Sequence, residues 1–354
     1  MKQIRINDAI VGGDAPCFIV AEGGNNHNGD LDVALKLIEQ AKAAGADAIK
    51  FQKRKVANIF TKVAFDSPYH GPNSYADTYG EHRNALELDD SKWDRIFEHS
   101  RTVGITCFAS PWDEDSADFL EHHEVPAYKM ASADLTNIPL LRHAASKKKP
   151  ILLSTGMSTL VEIDTAVSEV LRINSQLIVM HCVSAYPFDE HMANLRMIST
   201  LKARYPDLII GYSGHEKSGI VVSLGALALG AKVIERHFTL DRHMKGTDHI
   251  ASLEPQGLQQ LIGDIRKMES ALGDGVKRIY DEELPIRRKL GKSVTAKRDM
   301  SKGTVLTKDE LTMKSPGTGL PGYELDHFVG RVAQADIAKD YQFSVDELDW
   351  PKKA

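Results

Sequence analysis

Eight short apolar runs, each followed by a segment of helical periodicity, constrain this chain more than any other feature. The runs are Cys17–Ala21, Ala48–Gln52, Thr106–Ser110, Ala127–Ser132, Ile151–Thr155, Leu177–Val183, Leu208–Ser213 and Lys232–Thr239. Between them the apolar residues recur every three or four positions, as with Leu35, Ile38 and Ala41 in Leu31–Ala44. Continuously apolar strands alternating with amphipathic helices require a parallel sheet covered on both faces. Eight such units in succession predict an α/β chain folded as a closed (β/α)8 TIM barrel. The alternative is an open doubly wound sheet. It would carry a Gly-x-Gly-x-x-Gly turn after the first strand, and the turn here is Gly23-Gly24-Asn25-Asn26-His27-Asn28-Gly29.

The 354 residues exceed one barrel and leave room for a small second domain. A formal net charge of -5 offers no electrostatic footprint for nucleic acid. No apolar run reaches membrane-spanning length, and the start of the chain, Met1–Asn7, has no apolar signal core. Cys17, Cys107 and Cys182 each sit in a strand-like run, which predicts buried, reduced thiols and a cytoplasmic protein.

Two departures from the alternation stand out. A long segment, Arg54–Asp90, separates the second run from the next helix and carries Tyr69, Tyr75, Tyr79 and His82. A loop of that length in a compact domain is usually functional, and a substrate lid is expected. After Leu272 the pattern stops. The expected organisation is a barrel over 1–275, a charged linker over 276–289 and a small domain over 290–354. The last contains an internal echo: Ala296–Leu311 matches Ala333–Leu348 without gaps, aligning Asp299 with Asp336, Lys302 with Lys339 and Glu310 with Glu347.

Every run ends in polar residues, where barrel active sites form. Glu22 ends the first, Lys50 and Gln52 the second, and Ser110 the third. Lys129, Ser132 and Asp134 close the fourth, and Ser154 the fifth. His181 and Ser184 close the sixth, Ser213 and His215 the seventh, Glu235 and His237 the eighth. Two lysines among serines suit a ligand with phosphate and carboxylate groups. The bland alternative is a closed ion-pair network with Glu22, Asp134 and Glu235. A buried lysine could also form a Schiff base. His215 and His237 leave adjacent strands and suit a divalent metal, or simply bond to each other's surroundings.

Several of these words together resemble the sialic acid synthase family: Ala21-Glu22-Gly23-Gly24-Asn25-Asn26-His27-Asn28-Gly29-Asp30, Lys50-Phe51-Gln52, Leu153-Ser154-Thr155-Gly156-Met157, Gly211-Tyr212-Ser213-Gly214-His215 and Glu235-Arg236-His237-Phe238-Thr239. The tail, with Leu290-Gly291-Lys292-Ser293-Val294 and Lys302-Gly303-Thr304, resembles that family's antifreeze-like (SAF) domain. The resemblance implies condensation of phosphoenolpyruvate with an aldose of the N-acetylmannosamine type, giving N-acetylneuraminate or a close relative and phosphate. It implies a divalent metal, Mn²⁺ with Mg²⁺ or Co²⁺ as alternatives, on His215 and His237. It gives catalytic places to Glu22, Asp134 and Glu235. It lines the phosphoenolpyruvate pocket with Lys50, Ser110, Lys129, Ser132, Ser154, Ser184 and Ser213, and turns Gln52, Tyr186 and Asp248 toward the sugar. A domain-exchanged homodimer is implied as well. Ala131-Ser132-Ala133-Asp134 and Thr78-Tyr79-Gly80-Glu81-His82 look more like the animal enzymes, which use a 6-phosphorylated sugar. Ser315 stands where bacterial members have Arg.

Overall fold

A computed structural model describes residues 2–352; residues 1, 353 and 354, which bound the expected domains, lie outside it. The chain divides into two compact units, up to Gly273 and from Asp274 onward.

The first unit opens with an antiparallel hairpin, β1 (Gln3–Ile6) and β2 (Ala9–Gly12), whose Ile4, Ile6 and Val11 join the main core. The closed barrel follows: β3 (Phe18–Gly24), β4 (Ala48–Lys53), β5 (Thr106–Pro111), β6 (Tyr128–Met130), β7 (Ile151–Ser154), β8 (Leu177–Cys182), β9 (Ile209–Gly214) and β10 (Val233–His237). All neighbours are parallel, and β10 closes on β3 with Val233 opposite Phe18. The eight runs are these eight strands, and their apolar residues are buried because helices cover the outside while side chains fill the inside. The interior filling is tight. A methyl group on Gly211 would lie 2.3 Å from the Met180 sulfur.

The helices follow their capping signals. Leu31–Ala44 starts on Asp30, whose carboxylate accepts from the Asp32 and Val33 amides, and stops at Gly45 in the left-handed conformation at φ 91°. Its buried face is Ala34, Leu37, Ile38 and Ala41, so Leu35 lies at the margin rather than the centre.

Two expectations are revised. The fourth strand ends at Met130, and Ser132–Asp134 forms a 3₁₀ turn instead of extending it. The segment 54–90 is not an open loop. It contains short helices at Val56–Ile59, Lys62–Phe65 and Tyr79–Leu86, with Tyr69, Tyr79 and His82 packed ring to ring. Its Tyr75 hydroxyl donates to the Lys245 carbonyl at 2.6 Å, and its Asn73 accepts from the Gly246 amide at 3.1 Å.

The second unit pairs β11 (Ser293–Ala296) with β12 (Leu311–Lys314) around a core of Val294, Leu306, Phe328 and Phe343. The internal echo appears as reciprocal bonds. Met300 and Ile337 exchange both backbone bonds at 2.8 Å. Asp336 accepts from the Lys302 amide at 2.8 Å, and Asp299 from the Lys339 amide at 2.7 Å. Glu310 receives the Thr307 amide as Glu347 receives that of Ser344. The stretch 276–289 is not featureless, since most of helix Leu284–Leu290 falls in it.

Candidate active site

Successive strand residues point to opposite faces, so alternate residues at the strand ends converge inside the barrel. There they enclose a cavity of about 200 Å³. It is lined by Glu22 from β3, Lys50 and Gln52 from β4, Ser110 from β5, Lys129 from β6, Ser154 from β7, Cys182 from β8, Ser213 from β9, and Glu235 and His237 from β10. Ser132, Ser184, Tyr186 and His215 join from the loops just beyond. His181, at the odd position of β8, faces away and bonds the Ala193 carbonyl at 2.7 Å.

Two lysines and two carboxylates interlock at the floor. Lys50 pairs with Glu22, donates to the Ser110 hydroxyl at 3.0 Å and stands 3.9 Å from Glu235. Lys129 lies 3.4 Å from the same Glu235 oxygen, which also accepts from Ser213 at 3.2 Å. All four charged side chains are buried, and such charges persist only when paired. Burial pulls the Lys50 ammonium down to about 7, against the opposing attraction of Glu235. Burial also raises Glu235, but Lys129 and Lys50 outweigh it and hold the carboxyl below its ordinary value.

The network is not closed. The Ser154 hydroxyl, the second Glu235 oxygen and the His237 Nδ1 are buried without a hydrogen-bond partner. Other unpartnered atoms lie elsewhere in the barrel unit, as on Trp93 and Arg236, but these three residues share the lining of one cavity that a polar ligand can fill.

His215 and His237 sit side by side, ring centres 5.1 Å apart, with Tyr186 4.0 Å from the first. Burial lowers both imidazoles, His237 to about 4 and His215 well below its ordinary value. Both are therefore neutral at physiological pH. His215 Nδ1 lies 2.8 Å from the Val183 carbonyl. A carbonyl can only accept, so Nδ1 carries the hydrogen and Nε2 keeps its lone pair. Together with the unpartnered His237 nitrogen, this donor set fits a divalent metal. Elsewhere, Asp241, His243 and Glu254 bring three potential ligand atoms within 4.8 Å of one another and form a candidate cluster for a divalent ion.

Glycines make the close approaches possible. A Cβ on Gly156 would lie 2.1 Å from the Ser184 hydroxyl and 2.8 Å from that of Ser132, which accepts from the Gly156 amide at 3.0 Å. A Cβ on Gly23 would lie 2.6 Å from the Phe51 ring.

Two expected site residues stand apart from the cavity lining. Asp248 lies outside the lining, 3.8 Å from His237 Nδ1. Asp134 is carried by the 3₁₀ turn into a neighbouring cavity with Trp112 and Asn137. Asp134 therefore lines a different cavity from Ser132, because three residues per turn send the two side chains in different directions. Burial raises the Asp134 carboxyl to about 6. Sequence reasoning missed Trp112 and Met157 among the lining residues. It also missed Arg54, whose guanidinium lies 4.6 Å over the Trp112 ring.

The model of the NeuB family matches residues 37–277. The chain belongs to the NeuB family. A SAF domain model matches 291–345. The chain is 42% identical over 331 residues to human N-acetylneuraminate-9-phosphate synthase, covering 93% of this chain and 92% of the relative. It is 39% identical to the N,N'-diacetyllegionaminic acid synthase of Legionella pneumophila, over 90% of this chain and 91% of that one. Among solved structures it is similar to the N-acetylneuraminic acid synthetase of Leptospira borgpetersenii in complex with citrate. That comparison has a TM-score of 0.72 and 36% identity, covering 80% of this chain and 95% of that chain. This NeuB-family member is a phosphoenolpyruvate-using condensing enzyme that converts an aldose to a nonulosonic acid. Among its described residues no helix is long and apolar enough to cross a membrane.

Proposed function

We propose that the enzyme joins phosphoenolpyruvate to an open-chain aldose of the N-acetylmannosamine type, releasing phosphate and a nine-carbon acid such as N-acetylneuraminate. The observation that carries this reading is the meeting of Lys50 and Lys129 with the hydroxyls of Ser110, Ser132, Ser154 and Ser213 around one cavity. Phosphate and carboxylate are the groups such donors hold best. C3 of phosphoenolpyruvate adds to the sugar aldehyde, water adds to C2, and the C2–O bond to phosphate breaks. His215 and His237 would hold a divalent metal, Mn²⁺ first among the candidates, which as a Lewis acid would polarise the aldehyde.

The chain's own groups do the rest. Lys50 and Lys129 bind the anion and fix the enol face. Ser154, whose hydroxyl has no other partner, is free to donate to it. Glu22 lies against Lys50 and takes the proton of the attacking water. Glu235 holds both lysines in place. Gln52, Tyr186 and Asp248 face the sugar. The test is phosphate release from phosphoenolpyruvate with N-acetylmannosamine, its 6-phosphate and mannose as co-substrates. Preference for N-acetylmannosamine over mannose supports the reading, and no release with any of them rejects it.

A homodimer is part of the proposal. The segment 274–290 exposes Val276, Ile279, Tyr280, Leu284, Ile286 and Leu290, an apolar run of the kind that marks an interaction face. The expected arrangement has one copy's SAF unit covering the other copy's barrel mouth, with both copies in a reducing, cytoplasmic setting. Analytical ultracentrifugation at micromolar concentration would show a dimer, and a monomer there would reject it.

A further inference from the structure

Arg54 has no place in the roles above, yet it is among the most buried charges in the barrel. Its Nε lies 3.1 Å from Glu87 Oε1, and its backbone amide donates to Glu87 Oε2 at 3.4 Å. Its Nη2 reaches Asn25 Oδ1 at 3.3 Å and also bonds Gln52 Oε1. The guanidinium face rests on Trp112. Glu87 directly follows the last helix of the 54–90 insertion. Arg54 is thus clamped between the exit of that insertion and the end of β4.

The chemistry of the Gln52 amide gives this clamp a consequence. A carboxamide has one accepting and one donating end, and a guanidinium can only donate. With its oxygen held by Arg54, Gln52 must turn its NH2 the other way. There Nε2 donates to Glu22 Oε1 at 3.1 Å. The other Glu22 oxygen is taken by Lys50. The backbone makes room for this contact: the register shifts between Glu22 and Gly24, and a Cβ on Gly24, at φ 39°, would lie 2.7 Å from Glu22 Oε1. Without Arg54 the amide loses the contact that fixes its oxygen end and is left held only by its own donation to Glu22.

We propose that Arg54 is a positioning residue: through Glu87 and Gln52 it fixes the amide that orients Glu22, and so ties the catalytic carboxylate to the 54–90 insertion. Its kinetic expression rests on the function proposed above; its structural expression does not. The protein for the test is the full-length enzyme with Mn²⁺. Arg54→Met keeps the apolar stem and removes every side-chain donor. It should lower kcat about 10- to 100-fold, as a small misplacement of a reacting group does, and leave KM for phosphoenolpyruvate within about twofold. Arg54→Lys, which can offer Gln52 a single donor, should recover part of the loss. In parallel, the ¹⁵N-labelled Gln52 side-chain amide, assigned by its disappearance in Gln52→Glu, should exchange its hydrogens slowly in the wild type and rapidly in Arg54→Met. If the wild type condenses no aldose, the proposed function fails while the amide measurement still judges Arg54. Should Arg54→Met fail to fold, Glu87→Gln loosens the same clamp and should lower kcat in the same direction by less. An unchanged kcat, a KM rise matching the kcat loss, or a Gln52 amide equally protected in the variant would overturn the proposal.

Discussion

The two units treat buried polar groups in opposite ways. In the SAF unit the buried polar side chains are satisfied within the unit. The Ser293 hydroxyl donates to the Pro316 carbonyl at 2.8 Å and accepts from the Gly319 amide at 2.9 Å, and the Thr295 hydroxyl donates to the Ser293 carbonyl at 2.8 Å. Glu347 accepts from the Ser344 amide at 2.7 Å and also bonds Tyr341. In the barrel unit unpartnered buried atoms occur at several places, Trp93 and Arg236 among them, and three of them, on Ser154, Glu235 and His237, meet around one cavity. Leaving a buried polar atom unpaired costs roughly 1–3 kcal/mol. Three such atoms around one cavity mark a surface that a ligand completes. The SAF unit needs no ligand for its polar groups; what it leaves open is apolar.

The contrast can be broken most sharply at the metal. Exhaustive chelation should abolish turnover, and Mn²⁺, Co²⁺ or Mg²⁺ should restore it, read as phosphate release; full activity in metal-free enzyme would remove the Lewis-acid role. Next in size, Glu22→Gln should fold, retain phosphoenolpyruvate binding by calorimetry and lose about 10²-fold or more in kcat. A near-normal kcat would move the proton transfer to another group.

A pH effect follows from Lys50. Its ammonium is lowered to about 7, so the charge proposed to hold the anion is present below that pH and lost as pH rises through it. Phosphoenolpyruvate affinity should therefore decline on the basic side, and Lys50→Arg should move the decline to higher pH. A flat affinity between about pH 6 and pH 9 would contradict this.

Smaller effects sharpen the comparison. Asp134→Asn should change kcat by less than about threefold, because its carboxyl opens on the neighbouring cavity. A loss as large as that of Glu22→Gln would return Asp134 to the catalytic group. In the SAF unit, Ser344→Ala removes a capping hydroxyl and should cost about 1 kcal/mol in denaturant unfolding of that unit, with kcat unaltered.

The sequence made the barrel legible because buried parallel strands are apolar throughout and their helices periodic, so each run names its own element. The site was legible for a related reason: strand alternation carries Lys50 and Gln52, or Glu235 and His237, to the same face two residues apart. Alternation fails where a strand stops. Ala131 leaves the β6 ladder, the 3₁₀ turn begins, and Asp134 no longer obeys the period of two. Arg54 and Glu87 were illegible because their pairing depends on how residues 33 positions apart are brought together by the fold of the insertion. Short capped helices inside the insertion, such as Tyr79–Leu86 on Thr78, were hidden by its glycines, prolines and aromatic residues. The echo in the tail survived translation into structure because its matched aspartates, Asp299 and Asp336, bond each other's repeats.

The central claim is that the cavity between Lys50, Lys129 and Glu22 joins phosphoenolpyruvate to an aldose. The most direct test follows phosphate release from phosphoenolpyruvate by the Mn²⁺-loaded enzyme across a panel of aldoses, with product mass measured in parallel. The account predicts release that requires the aldose, matches the nine-carbon acid mole for mole and disappears in Glu22→Gln. Phosphate released equally without any aldose, or borohydride trapping of substrate on Lys50 or Lys129, would contradict it.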